Sequence, residues 1–74
     1  MPRLTNRHKQ VLFLVLELGT VGPAVVAREL CIALSTAYRD LENLETAGLL
    51  NALPGGKRRL TDSGSTYLET MFGK

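Results

Sequence analysis

The feature that most restricts what this chain can fold into is a pair of apolar stripes at helical spacing on either side of a very short break. Val26, Ala27 and Leu30 fall on one helical face of a segment that Pro23 can open, because the first turn of a helix has no partner for the N–H that proline lacks. Cys31 and Ile32 interrupt the pattern. A second stripe, Ala37, Leu41 and Leu44, then follows at spacings of four and three, with Tyr38 beside it and Gly48 placed as the glycine after a helix end. The predicted helices, about Ala24–Leu30 and about Leu34–Ala47, are thus joined by a turn of about three residues. The first is only about two turns long, so it persists only if packed.

The flanking segments complete the order. Thr5 is a good N-cap for a helix over about Asn6–Leu18 with apolar residues at Val11, Leu12, Val15 and Leu18, closed by Gly19. His8 stands where a capping box has Glu or Gln, so that partner is expected to be missing. Thr20–Gly22 is a connector or a minimal strand. Leu49–Leu53, Pro54-Gly55-Gly56 and Lys57–Leu60 read as strand, glycine turn and basic strand. Thr61 can cap a last helix whose apolar face is Gly64, Tyr67, Leu68, Met71 and Phe72, with Asp62 favourable in its first turn. The fold class is mainly α with a small β-hairpin (α+β), in the order helix, short helix, helix, hairpin, helix. With no repeats or linkers, residues 1–74 form a single domain.

Length and composition exclude more than they select. Seventy-four residues are too few for a doubly wound fold, a barrel or a multidomain enzyme. One cysteine and one histidine leave no disulfide framework and no Cys/His zinc site. The longest apolar run, Val11–Leu16, falls far short of the roughly 20 residues of a membrane span, and Glu17 follows it at once, so neither a membrane segment nor a signal peptide is expected. A reducing cytoplasm fits. Asp40, Glu42 and Glu45 have no nucleophile or metal cluster beside them, so no enzyme, cofactor or metal is expected. Cys31 is expected in a packed turn as a small hydrophobe, and His8 to have no ligand role.

A formal net charge of +2 understates the local field, because six of the nine basic residues lie in residues 3–9 and 57–59. Lys57, Arg58 and Arg59 flank the Gly-Gly tip with no acid closer than Asp62. Strand alternation sends Lys57 and Arg59 to one face and Arg58 to the other. Such a tip reaches phosphates or the minor groove of a duplex. Arg3, Arg7 and Lys9 form a second group where the free N–H groups of a first helical turn can also bind phosphate. The first helix is apolar all round. Phe13 and Leu16 point outward if Val11, Leu12 and Val15 point inward, and with Tyr67, Met71 and Phe72 they can form a homodimer seam, from which a small core gains most.

Three phrases in the same order resemble a winged helix-turn-helix regulator over nearly the whole chain. Ser35-Thr36-Ala37-Tyr38-Arg39-Asp40-Leu41 through Leu44-Glu45-Thr46-Ala47-Gly48-Leu49 is similar to the recognition helix and first wing strand of MarR, PadR and IclR proteins. Leu4-Thr5 before a basic, then apolar, helix is similar to MarR-type and LexA-type N-termini. Arg59-Leu60-Thr61-Asp62-Ser63-Gly64 looks like the phrase after the wing. Cys31 stands where such motifs commonly have a left-handed glycine, and Ala33 where a serine commonly caps, which leaves Ser35 as the expected cap. The resemblance implies a prokaryotic, nucleoid-associated repressor that binds double-stranded DNA as a homodimer. Helix 34–47 would enter the major groove with Ala33, Leu34, Ser35, Thr36, Tyr38 and Arg39 at or near base edges, and the wing 54–59 would contact phosphate or minor groove. No membrane partner or small-molecule effector is expected. The alternatives are a winged-helix protein–protein interaction module and an architectural DNA-binding protein with little sequence preference.

Overall fold

The computed structural model describes residues 4–72, and of Phe72 the backbone alone. Helix α1 covers Asn6–Leu18, as the apolar spacing predicts. Its start corrects the expectation of an incomplete cap. The His8 amide donates to Thr5 Oγ1 at 3.2 Å, and the Thr5 amide donates to His8 Nδ1 at 3.1 Å. An imidazole with an unprotonated Nδ1 accepts a backbone N–H as a glutamate would, so the reciprocal box closes. Gly19 follows and donates its N–H to the Val15 carbonyl at 2.7 Å.

Helix α2, Pro23–Leu30, begins with Pro23 in its first turn. It ends in Cys31, whose φ of 55° and ψ of 48° are left-handed. Cys31 thus takes the glycine conformation itself, at a cost of roughly 1–2 kcal/mol for an L side chain. It is also exposed, not packed. Ile32 then donates to the Ala27 carbonyl at 3.0 Å and turns the chain into α3, Leu34–Thr46. Ala33 occupies the N-cap with extended backbone and no side-chain hydrogen bond. Ser35 lies inside the first turn and does not substitute for the missing cap. At the far end Gly48 donates to the Glu45 carbonyl and Leu49 to that of Leu44, both at 3.0 Å, a paired closure that reverses the chain into the hairpin.

Strands β1 (Leu50–Ala52) and β2 (Arg58–Leu60) pair antiparallel, with Leu50 opposite Leu60, Asn51 opposite Arg59 and Ala52 opposite Arg58. The turn between them is a single 3-10 turn over Pro54–Gly56 with Gly55 at φ 86° and Gly56 at φ 82°, angles that glycine adopts without a steric cost. Val21 pairs with the other edge of β2: it donates to the Arg58 carbonyl at 3.0 Å and accepts the Arg58 amide at 2.8 Å. Of the two readings of Thr20–Gly22, a connector or a minimal strand, the structure gives a connector with a one-residue bridge at Val21, which pairs Arg58 on the side of β2 away from β1.

Helix α4, Asp62–Phe72, starts where Thr61 Oγ1 accepts the Gly64 amide at 2.9 Å while donating to the Gly48 carbonyl at 2.6 Å. One hydroxyl thus caps α4 and ties it to the end of α3. Gly64 is required by space: a Cβ there would collide with the Leu49 carbonyl oxygen. The core gathers Val11, Leu12 and Val15 of α1, Val21, Val26 of α2, Ala37, Leu41 and Leu44 of α3, Leu49, Leu50 and Leu68 of α4. Each buried leucine contributes roughly 1.5–3 kcal/mol relative to exposure, so this small set anchors all four helices and the hairpin.

Candidate nucleic-acid interface

Helix α3 divides into two faces. Ala37, Asp40, Leu41 and Leu44 are buried on one side. On the other, Leu34 and Tyr38 are 51% and 50% exposed, and Ser35 and Arg39 lie beside them in solvent. Ala33 is exposed and Thr36 half-buried. Leu34 is the one leucine of α3 that lies in solvent, and Arg39 makes no ion pair with another described residue, although Asp40 and Glu42 are its near neighbours in sequence.

Asp40 explains why. Its carboxylate is 1% exposed and is held from α1: Arg7 Nε donates to Oδ2 at 2.5 Å and Nη2 to Oδ1 at 3.1 Å. His8 Nε2 stands 3.4 Å from Oδ1, an electrostatic contact rather than a full hydrogen bond. Because Nδ1 accepts the Thr5 amide, the neutral ring carries its proton on Nε2, toward Asp40. The Asp40 hydrogen bond, and then its charge, hold Arg7 protonated more firmly than an ordinary arginine. Arg7, expected on phosphate, thus ties α1 to the middle of α3 with its side chain 43% exposed, and His8 has a structural role as well. The signal for this site lies in the sequence: Asp40 falls three residues after Ala37 and four before Leu44, inside the apolar stripe.

The wing cations separate as strand alternation requires. Lys57 and Arg59 are exposed. Arg58 is buried: its Nε donates to Glu45 at 3.3 Å and Nη1 to the Gly56 carbonyl. That corrects its expected place among the phosphate-binding groups. Its backbone pairs with Val21 on the side of β2 away from β1, and its side chain is directed toward α3. Lys9 is half-buried and lines an open groove of about 500 Å³ with Phe13, Leu14, Leu30 and Met71, a place apart from the exposed face of α3. Phe13 and Leu16 are 44% and 50% exposed, whereas Tyr67 and Met71 are half-buried against their own core. Arg3 and the Phe72 side chain lie outside the described residues. Among the described residues no group of His, Cys, Asp and Glu could hold a metal, and no helix is long and apolar enough to cross a membrane.

A short helix, a tight turn, an outward-facing second helix and a hairpin with an exposed basic edge define a winged helix-turn-helix. Solved structures share this arrangement. The PhiH1 repressor-like protein from Haloarcula marismortui superposes with a TM-score of 0.83 at 28% identity, over 89% of this chain and 77% of that one. MarR from E. coli in its reduced form gives 0.83 at 22% identity, over 96% of this chain and 55% of its own. Ligand-free NadR gives 0.71 at 22%, over 96% and 65%. These similarities establish the fold as that of winged-helix transcriptional regulators. No protein-family model and no curated protein sequence matches the chain.

Proposed function

We propose that this chain is a sequence-specific double-stranded DNA-binding regulator, a small cytoplasmic repressor that works as a homodimer. The reading rests above all on the uncovered face of α3, where Leu34, Ser35, Tyr38 and Arg39 project from the first two turns while Asp40 is neutralised behind them. In a winged helix-turn-helix those turns enter the major groove. Ser35 and Tyr38 can bond phosphate or base, and Arg39 can pair with guanine. Ala33 and Thr36 border the contact. Lys57 and Arg59 follow the phosphates from the wing, and Lys9 is a weaker candidate for the same role. Phe13 and Leu16 offer a seam for a second copy, extended by Tyr67 and Met71. Such a dimer reads two half-sites separated by about one helical turn, roughly 34–36 Å, or a multiple of it. A repressor needs no catalytic group, since occupying a promoter suffices.

Selection from a random duplex pool tests this directly. The expected result is an enriched, two-fold symmetric site bound far more tightly than random duplex, with Arg39→Ala relaxing the preference at one position of each half-site. Equal affinity for selected and random duplex would reject sequence-specific reading and favour an architectural role.

A further inference from the structure

The uncovered face of α3 carries two adjacent stripes. Leu34, Tyr38 and Glu42 follow at intervals of four, and Ser35, Arg39 and Asn43 run beside them. Arg39 is the one cation on the helix. Glu42 ends the length of this face that a polyanion can approach. What enters a groove is therefore a single guanidinium, two hydroxyls and an aliphatic side chain at the very first helical position. A face built only to grip phosphate gains nothing from leucine, and Leu34 is half-exposed rather than spent on the core. An aliphatic group in the major groove has one base-specific contact open to it, the C5 methyl of thymine.

We propose that Leu34 is a specificity residue that packs on a thymine methyl, while Arg39 pairs bidentately with a nearby guanine. The assignment rests on the DNA-reading function proposed above and names what that face reads. Leu34 and Arg39 are five residues apart, or about 7.5 Å along the helix. With base pairs stacked at ~3.4 Å, the thymine and the guanine lie within about two steps of each other. Arg39 is available for this role because the acid next to it, Asp40, is turned inward and held by Arg7.

The test starts from a duplex selected by the full chain. Each dT is replaced in turn by deoxyuridine, which removes only the C5 methyl. One replacement per half-site should weaken wild-type binding about fourfold, the worth of one buried methyl group. The same replacement should leave Leu34→Ala, already weaker, unchanged, whereas Leu34→Met should keep the methyl dependence. If no thymine shows the loss, or the loss is equal in wild type and Leu34→Ala, the thymine assignment is wrong and DNA reading stands. If no selected duplex is held more tightly than random duplex, the reading function fails and this assignment falls with it.

Discussion

Arg7 and Asp40, 33 residues apart, form a two-point ion pair that fastens the first turn of α1 to the buried side of α3. The pair fixes the rotation of α3 about its axis. With Asp40 held inward, Arg39 is left on the outer side, so a contact whose carboxylate is buried and whose guanidinium is 43% exposed helps set which cation faces outward.

Asp40→Asn should lower stability by roughly 1–3 kcal/mol, the range for losing charged hydrogen bonds at a buried site. Arg7→Ala should destabilise the wild type, where it leaves a carboxylate 1% exposed without its cation, and cost much less in the Asp40→Asn background. Urea midpoints of the four proteins give the coupling, and additive effects would deny the pair its role. The raised Arg7 pKa means its contribution is complete below the ordinary arginine value and is lost only as pH rises through a still higher one. Arg7 should therefore add no step to stability across the neutral range.

The wing makes an opposite pair of predictions for adjacent residues. Lys57→Ala and Arg59→Ala should weaken duplex binding across all sequences and each reduce the salt slope by about one, because each removes an exposed cation proposed to lie on phosphate. Arg58→Ala should leave that slope alone. It should instead lower stability, since Glu45 and the Gly56 carbonyl lose their donor. Fluorescence anisotropy across a salt series, beside thermal melts, separates the two effects.

Helix ends and the hairpin were legible because their signals are local: Thr5 and Gly19 bound α1, Gly48 closes α3, and Gly55-Gly56 makes the turn. The site was only half legible. The apolar stripe of α3 leaves Leu34, Ser35, Tyr38 and Arg39 on its outer side, and their expected place at base edges comes from the resemblance to winged helix-turn-helix regulators. The fates of Arg7 and Arg58 depend on partners 33 and 13 residues away, and on Val21 pairing with β2, which no local pattern encodes. His8 was read by residue type where the requirement was simply an acceptor at the third helical position.

Cys31 is the one non-glycine residue with positive φ among the described residues, and its exposed side chain makes only a long contact from Sγ to the Arg28 carbonyl, 3.9 Å. Cys31→Gly should therefore stabilise the fold by about 1 kcal/mol, the left-handed penalty less the added chain entropy of glycine. For a domain of this size that is a rise in Tm of roughly 4–8 °C. A fall in Tm would show that the thiol contributes packing that its exposure conceals.

Leu16 offers the cleanest test of association. It is 50% exposed at the edge of the buried stripe of Val11, Leu12 and Val15, where a longer side chain can reach water, so Leu16→Glu should leave the monomer fold intact. In a dimer built on this face, the same change buries a carboxylate without a partner and should break the assembly. Light scattering at tens of micromolar should then give about twice 8.1 kDa for the wild type and 8.1 kDa for the variant, each with the same helical content. DNA binding should separate further: loss of one half-site's grip would reduce affinity for a symmetric site by far more than for a single half-site. A wild type that stays at 8.1 kDa would place the regulator on DNA as a monomer.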